Sequence, residues 1–245
     1  MRLAKVHEWN VSPAEAREIQ EKLRAEWEGK DRLPEIKTIA GLDAAFVLTE
    51  SQALKKSSRW NAMREANRVI GGVVVFRFPE MVEIERASAV LPLQFPYVPG
   101  FLSFREIPVL LEALGKLKKI PDLLFCDGQG YAHPRRMGLA THLGILLERP
   151  TIGCAKSILI GKHGPLGEKA GSWAWLRDDK AGGEAIGAAV RTRTRVKPVY
   201  VSQGNRVSLQ TAIRLTLAVS DGVRIPQPTR EADRLVSTVK WEMPG

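Results

Sequence analysis

An apolar run, Leu123-Leu-Phe-Cys126, stops on Asp127 and passes through Gly128-Gln-Gly130 into a stretch with helical spacing at Leu139, Leu143, Leu146 and Leu147. A short buried strand that ends on a carboxylate, then a glycine turn and a helix, is the building unit of an α/β sheet. It presents its acid at the carboxyl edge. The same turn holds His133, Arg135 and Arg136, so one loop gathers an acid, an imidazole and two guanidiniums, a set suited to phosphate chemistry around a metal ion. Asp-Gly is also a common turn dipeptide, and an aspartate ahead of a helix often only caps it. The role of Asp127 therefore depends on what the rest of the chain supplies.

A second acid lies inside an apolar segment. Residues 36–47 read as a strand with Asp43 in its middle or near its end. A lone carboxylate there is costly to desolvate unless a metal ion, or a buried Arg or Lys, compensates it. A third candidate is Glu106, at the end of Phe95-Pro96-Tyr97-Val98-Pro99-Gly100-Phe101-Leu102-Ser103-Phe104-Arg105-Glu106. The two prolines stiffen a loop around Tyr97, which either projects to insert against stacked bases or is buried to hold a tight turn. Ser103 and Glu106 have capping-box spacing, but Pro108 favours a helix that starts near Pro108 and leaves Glu106 at its mouth. Three carboxylates drawn from separate elements repel one another unless they share a divalent cation.

The remaining order is helix, strand, hairpin, helix, strand, helix, strand, hairpin, strand, helices. Ser12-Pro13-Ala14-Glu15 opens an outer amphipathic helix with Ile19, Leu23 and Trp27 at four-residue spacing, Ser208 caps a later helix, and Thr229 caps the last. Residues 70–78 and 81–90 form a hairpin; the strand at 151–155 ends near Lys156. Arg191, Arg193, Arg195 and Lys197 recur at period two, which on a strand makes one positive ridge. Residues 49–68 are a basic, polar excursion, either a short helix touching a phosphate backbone or a solvated insertion. The formal charge of +10 favours a polyanionic partner such as nucleic acid. Cys126 and Cys154 sit in apolar runs, where they could pair but suit a reducing cytosol as small core hydrophobes. The N-terminal residues have no signal-peptide pattern and no apolar run spans a bilayer, so a cytoplasmic protein is expected, with residues 1–245 as one domain.

Gly41-Leu-Asp43, the run from Pro96 to Glu106, the run from Asp127 to His142, Gly153-Cys-Ala-Lys156-Ser157 and Pro226-Gln-Pro-Thr-Arg-Glu-Ala-Asp233 together resemble the endonuclease V family over almost the whole chain. The second and third of these are too long and too particular for chance. The resemblance implies a ribonuclease H-like α/β fold, a mixed sheet flanked by helices. It also implies an enzyme that recognises deoxyinosine in DNA, extrudes the base and hydrolyses a nearby phosphodiester bond on its 3′ side to initiate repair. The cofactor implied is Mg²⁺, with Mn²⁺ as a substitute.

Carried over by position, Asp43, Asp127 and Glu106 form the metal site, with His133 and Lys156 as further catalytic positions. Pro96, Tyr97, Val98 and Pro99 become a wedge, and Gly100, Leu102, Gly128 and Gly138 a pocket for the flipped base. Two departures stand out. Asn205 occupies a turn where the family usually has histidine, so it either serves the acidic site without titrating or tolerates a left-handed turn after Gly204. The excursion at 49–68 is also longer than expected. A monomer is expected, and two alternatives accompany this reading: cleavage of RNA at inosine, and a protein that binds damaged DNA without cutting it.

Overall fold

A computed structural model describes residues 6–47 and 64–243. In chain order the elements are α1 (Pro13–Arg24), β1 (Thr38–Val47), β2 (Arg68–Arg77), β3 (Val82–Pro92), α2 (Leu102–Gly115), β4 (Leu123–Cys126), α3 (Leu139–Leu147), β5 (Thr151–Ala155), β6 (Lys162–His163), β7 (Trp173–Asp178), β8 (Glu184–Val190), β9 (Val199–Gln203), α4 (Leu209–Ala218) and α5 (Gln227–Glu242). The strands form one sheet in the order β3-β2-β1-β4-β5-β9-β8-β7-β6. Only β1 with β4 and β4 with β5 pair in parallel. The other neighbours are antiparallel.

Side chains alternate across the central strands, and each set finds a helical cover. Ala40, Leu42, Leu124 and Cys126 pack with Ile107, Leu110 and Leu114 of α2 and Leu143 and Leu146 of α3. Ile39, Leu123, Phe125 and Ile152 pack with Leu209, Ala212 and Ile213 of α4. On this second face α5 crosses β1 so closely that a Cβ on Gly41 would lie 1.9 Å from the Pro228 carbonyl oxygen. That contact fixes where the last helix sits. Cys126 and Cys154 are both free and buried.

Several local expectations change. The helix expected near Pro108 begins at Leu102 and holds Pro108 in its interior. A proline there costs about 3 kcal/mol, but each fully buried apolar side chain returns about 1.5–3 kcal/mol, and α2 buries Phe104, Ile107, Leu110 and Leu114 together. Burial outweighs the local rule. Glu106 is thus a buried helical residue rather than one at a helix mouth, and Ser103 does not cap but hydrogen-bonds the Nδ1 of His142 at 3.0 Å. Pro226, not Thr229, precedes α5, and Thr229 is buried in its first turn, donating to the Pro226 carbonyl.

The basic ridge is not a strand. β8 ends at Val190, Arg195 has φ +60°, and the Arg191 guanidinium donates to the carbonyls of Gly167 and Val196. Trp27 lies beyond the end of α1 and stacks on Tyr131, with ring centroids 4.1 Å apart. Of the excursion, residues 49–63 lie outside the described residues. No helix among the described residues is long and apolar enough to cross a membrane.

Candidate active site

β1 and β4 run in parallel until Leu42 pairs with Cys126, and one further bond, Asp127 N–H to the Leu42 carbonyl at 2.9 Å, carries the ladder past the end of β4. Asp43 and Asp127 each follow a residue that faces α2 and α3, so alternation turns both to the α5 side of the sheet. There α5 supplies Asp233, and carboxylate oxygens of Asp43, Asp127 and Asp233 lie within 4.8 Å of one another. Hard oxygen ligands at this spacing, with one of the acids deeply buried, are a donor set for a divalent cation such as Mg²⁺.

Lys156, just past β5, reaches the same point. Its Nζ lies 2.6 Å from Asp127 Oδ2 and 3.3 Å from Asp233 Oδ1, so the spot accommodates positive charge. Burial works against the ammonium, but attraction from Asp127, Asp43 and Asp233 prevails and pushes its pKa up to about 12. Glu106 approaches from α2, on the opposite side of the sheet, and acts on Asp43 through its charge. Asp43 is held well above the usual carboxylate range, by burial first and then by repulsion from Asp127 and Glu106, against the opposing pull of Lys156 and the Ala44 N–H.

That direction sets a stability trend. Without metal, the folded chain holds a proton on Asp43 more tightly than the unfolded chain does. Stability is therefore lost as pH rises from the ordinary aspartate range through the raised value. Asp43→Asn is expected to flatten this loss and raise the midpoint in EDTA at neutral pH; each ~1 kcal/mol gained adds about 2–4 °C. Thermal melts from pH 4 to 8 test this, and an identical slope in the variant would remove the repulsion argument.

Beside the acids lies a cavity of about 410 Å³. It is lined by all four expected pocket residues, Gly100, Leu102, Gly128 and Gly138, and by Tyr97, Pro99 and His133. Gly128 and Ser157, the chain neighbours of Asp127 and Lys156, line it too, so cavity and acids adjoin. Gly138 can only be glycine, because a Cβ would lie 2.3 Å from the Gln129 carbonyl oxygen. Tyr97 is half-buried, with the Arg105 guanidinium 5.7 Å from its ring centre, and of its loop Pro96 and Pro99 are exposed and Val98 half-buried. His133 is turned into the cavity wall. Its Nε2 donates to the Gly100 carbonyl at 3.1 Å and its Nδ1 accepts from the Arg135 N–H at 3.2 Å. Burial, then the Arg135 charge, lowers its pKa to about 4, so the ring is neutral.

Asn205 stands apart. Its Oδ1 accepts from the Glu28 N–H at 2.9 Å and its Nδ2 donates to the Gly144 carbonyl at 3.2 Å, while its backbone pairs with Thr151 at the start of β5. Lys156 leaves the other end of that strand, roughly 16 Å along it. The left-handed residue of the turn is Arg206, at φ +54°, so neither reading of Asn205 holds. Sequence reasoning also missed Asp233 as a site residue. Its only signal was the closing Pro226-to-Asp233 run, since among Arg230, Glu231 and Arg234 it reads as one more charge on a solvated face.

The Endonuclease V family model matches residues 17–234. Endonuclease V of Roseiflexus castenholzii is 46% identical over 231 residues, covering 94% of this chain and 95% of its own. Among solved structures, Endonuclease V from Streptomyces avermitilis superposes with a TM-score of 0.82 at 38% identity, covering 96% of this chain and 95% of that one. Ciona intestinalis Endonuclease V, in complex with a 24mer DNA containing an inosine followed by a ribo-adenosine, gives 0.73 at 26% identity, covering 92% and 96%. The mixed sheet flanked by helices is the ribonuclease H-like fold of these structures. With the family model covering most of its length, the chain belongs to the endonuclease V family, a family of nucleases.

Proposed function

We propose that this protein is a Mg²⁺-dependent endonuclease that recognises deoxyinosine in DNA and hydrolyses a phosphodiester bond on its 3′ side. The observation that carries the reading is the meeting of Asp43, Asp127 and Asp233 at the rim of a cavity of about 410 Å³ whose lining includes four residues expected to hold a flipped base. Asp43, Asp127 and Asp233 would hold the cation, which when bound supplies charge neutralisation at the scissile phosphate and activation of water. Glu106 orients the attacking water from the α2 side. Lys156 steadies Asp127 and Asp233 and offers its ammonium to the phosphate. Neutral His133 shapes the pocket, because both of its ring nitrogens are already engaged.

Tyr97 takes the place of the extruded base. A mispaired hypoxanthine costs less to pull from the stack than a paired base, which is one source of selection. Tyr97→Ala is expected to weaken binding to inosine in duplex by about 1–3 kcal/mol, the worth of one base–aromatic stack, with a smaller effect on single strands. Fluorescence anisotropy on both forms checks this. An equal loss on both, accompanied by a lower melting temperature, would make the tyrosine a packing residue.

A second reading, cleavage of RNA at inosine, shares this chemistry and differs in tolerance of the 2′-hydroxyl. It is favoured by the ribonucleotide that follows the inosine in the Ciona complex. Matched DNA and RNA strands, each with one inosine, separate the two with Mg²⁺ present. Preferential cutting of DNA supports the first, preferential cutting of RNA supports the second, and cutting of neither removes both. A monomeric, cytoplasmic enzyme fits both.

A further inference from the structure

α1 is charged and mostly exposed, with only Ala16 and Gln20 buried, and Gln20 has no exposed surface. A wholly buried amide on an outer helix is costly unless its donors and acceptor are all met. Here they are. Nε2 donates to the carbonyls of Gly100 and Met137, each at 3.2 Å, and Oε1 accepts from Nε of Arg135. The reversed amide would aim an oxygen at two carbonyls and an NH₂ at a guanidinium, so only one orientation satisfies the site.

The two carbonyls belong to different walls of the cavity. Gly100 closes the proline loop behind Tyr97, and Met137 precedes Gly138 on the loop that begins at Asp127. The Gly100 carbonyl also receives Nε2–H of His133 at 3.1 Å and Nη2 of Arg135 at 2.6 Å, so helix and both loops are tied at one oxygen.

We propose that Gln20 is a positioning residue for base selection: its amide sets the separation of the two loops, and with it the width of the cavity that takes the extruded base. The inference rests on the base-pocket reading above. Gln20 bonds to none of the clustered acids, so its loss should loosen the pocket and leave the cation ligands in place. Displacing a positioned group by about 1 Å can cost roughly 100-fold in rate.

Gln20→Met keeps the length and removes donors and acceptor; Gln20→Glu keeps the acceptor for Arg135 but sets a carboxylate against two carbonyls. Both are expected to lower kcat/KM on a DNA strand with one deoxyinosine by about 10–100-fold while slow cutting of the matched deoxyadenosine strand stays within about twofold. Mn²⁺ affinity by calorimetry should be unchanged, and the fluorescence rise of 2-aminopurine opposite the inosine, a report of extrusion, should shrink. If either folded variant, checked by circular dichroism, keeps the wild-type inosine-to-adenine ratio, the proposal is overturned. An equal loss on both strands in proportion to the folded fraction, or a matching loss of Mn²⁺ affinity, overturns it too. Wild-type protein that cuts both strands alike overturns the base-pocket reading itself, and the proposal with it, before any variant is compared.

Discussion

Asp43→Ala and Asp127→Ala should each lower Mg²⁺-dependent cleavage by at least about a thousandfold while the chain stays folded and still binds DNA. Lewis-acid stabilisation of transition-state charge is worth several kcal/mol, and each ~1.4 kcal/mol is tenfold in rate. The fold should survive because these acids repel one another: Asp43 is destabilised in its charged form by its own burial and then by Asp127 and Glu106. Single-turnover cleavage beside a binding isotherm checks both halves. Substantial Mg²⁺-dependent cutting by either variant would remove the acids from the chemistry.

Replacing Asn205 should have the opposite signature. Asn205→Ala takes partners from the Glu28 N–H and the Gly144 carbonyl in an interior position. The Gly144 carbonyl keeps the Glu148 and Arg149 N–H groups, so the loss falls on the Glu28 N–H, and a buried group left unpaired should destabilise by about 1–3 kcal/mol. Asn205→His is likewise expected to lower stability, because the side chain is buried among Thr151, Gly144 and Glu28 and a ring is larger than the amide it replaces. Metal dependence should be unchanged. Urea melts together with Mg²⁺ and Mn²⁺ activity titrations test this, and a gain in activity with unchanged stability would return the residue to the site.

The centre of the fold was legible because its signals are local. The run from Leu123 to Asp127 is apolar until it must end, and Asp43 is an acid where strands exclude acids; the two strands lie side by side and bring these carboxylates together. What escaped depends on tertiary packing. Asp233 joins the acids only because Gly41 lets α5 lie against β1. Gln20 looks like one more polar residue on a charged helix, and only the loops it meets reveal its burial. Glu106 was misplaced because the Pro108 rule is local while the apolar face of α2 is not. The arginines at period two mimicked a strand, although Arg191 spends its guanidinium on holding a turn.

The most direct test is wild-type cleavage of one labelled duplex carrying a single deoxyinosine, and of its deoxyadenosine twin, with Mg²⁺ and with EDTA. The expected result is one cut at a fixed bond on the 3′ side of the inosine, in Mg²⁺ only, with the twin left largely intact. Cutting that persists in EDTA, or falls equally on both duplexes, would contradict the assignment of Asp43, Asp127 and Asp233 to a cation and of the adjoining cavity to a deaminated base.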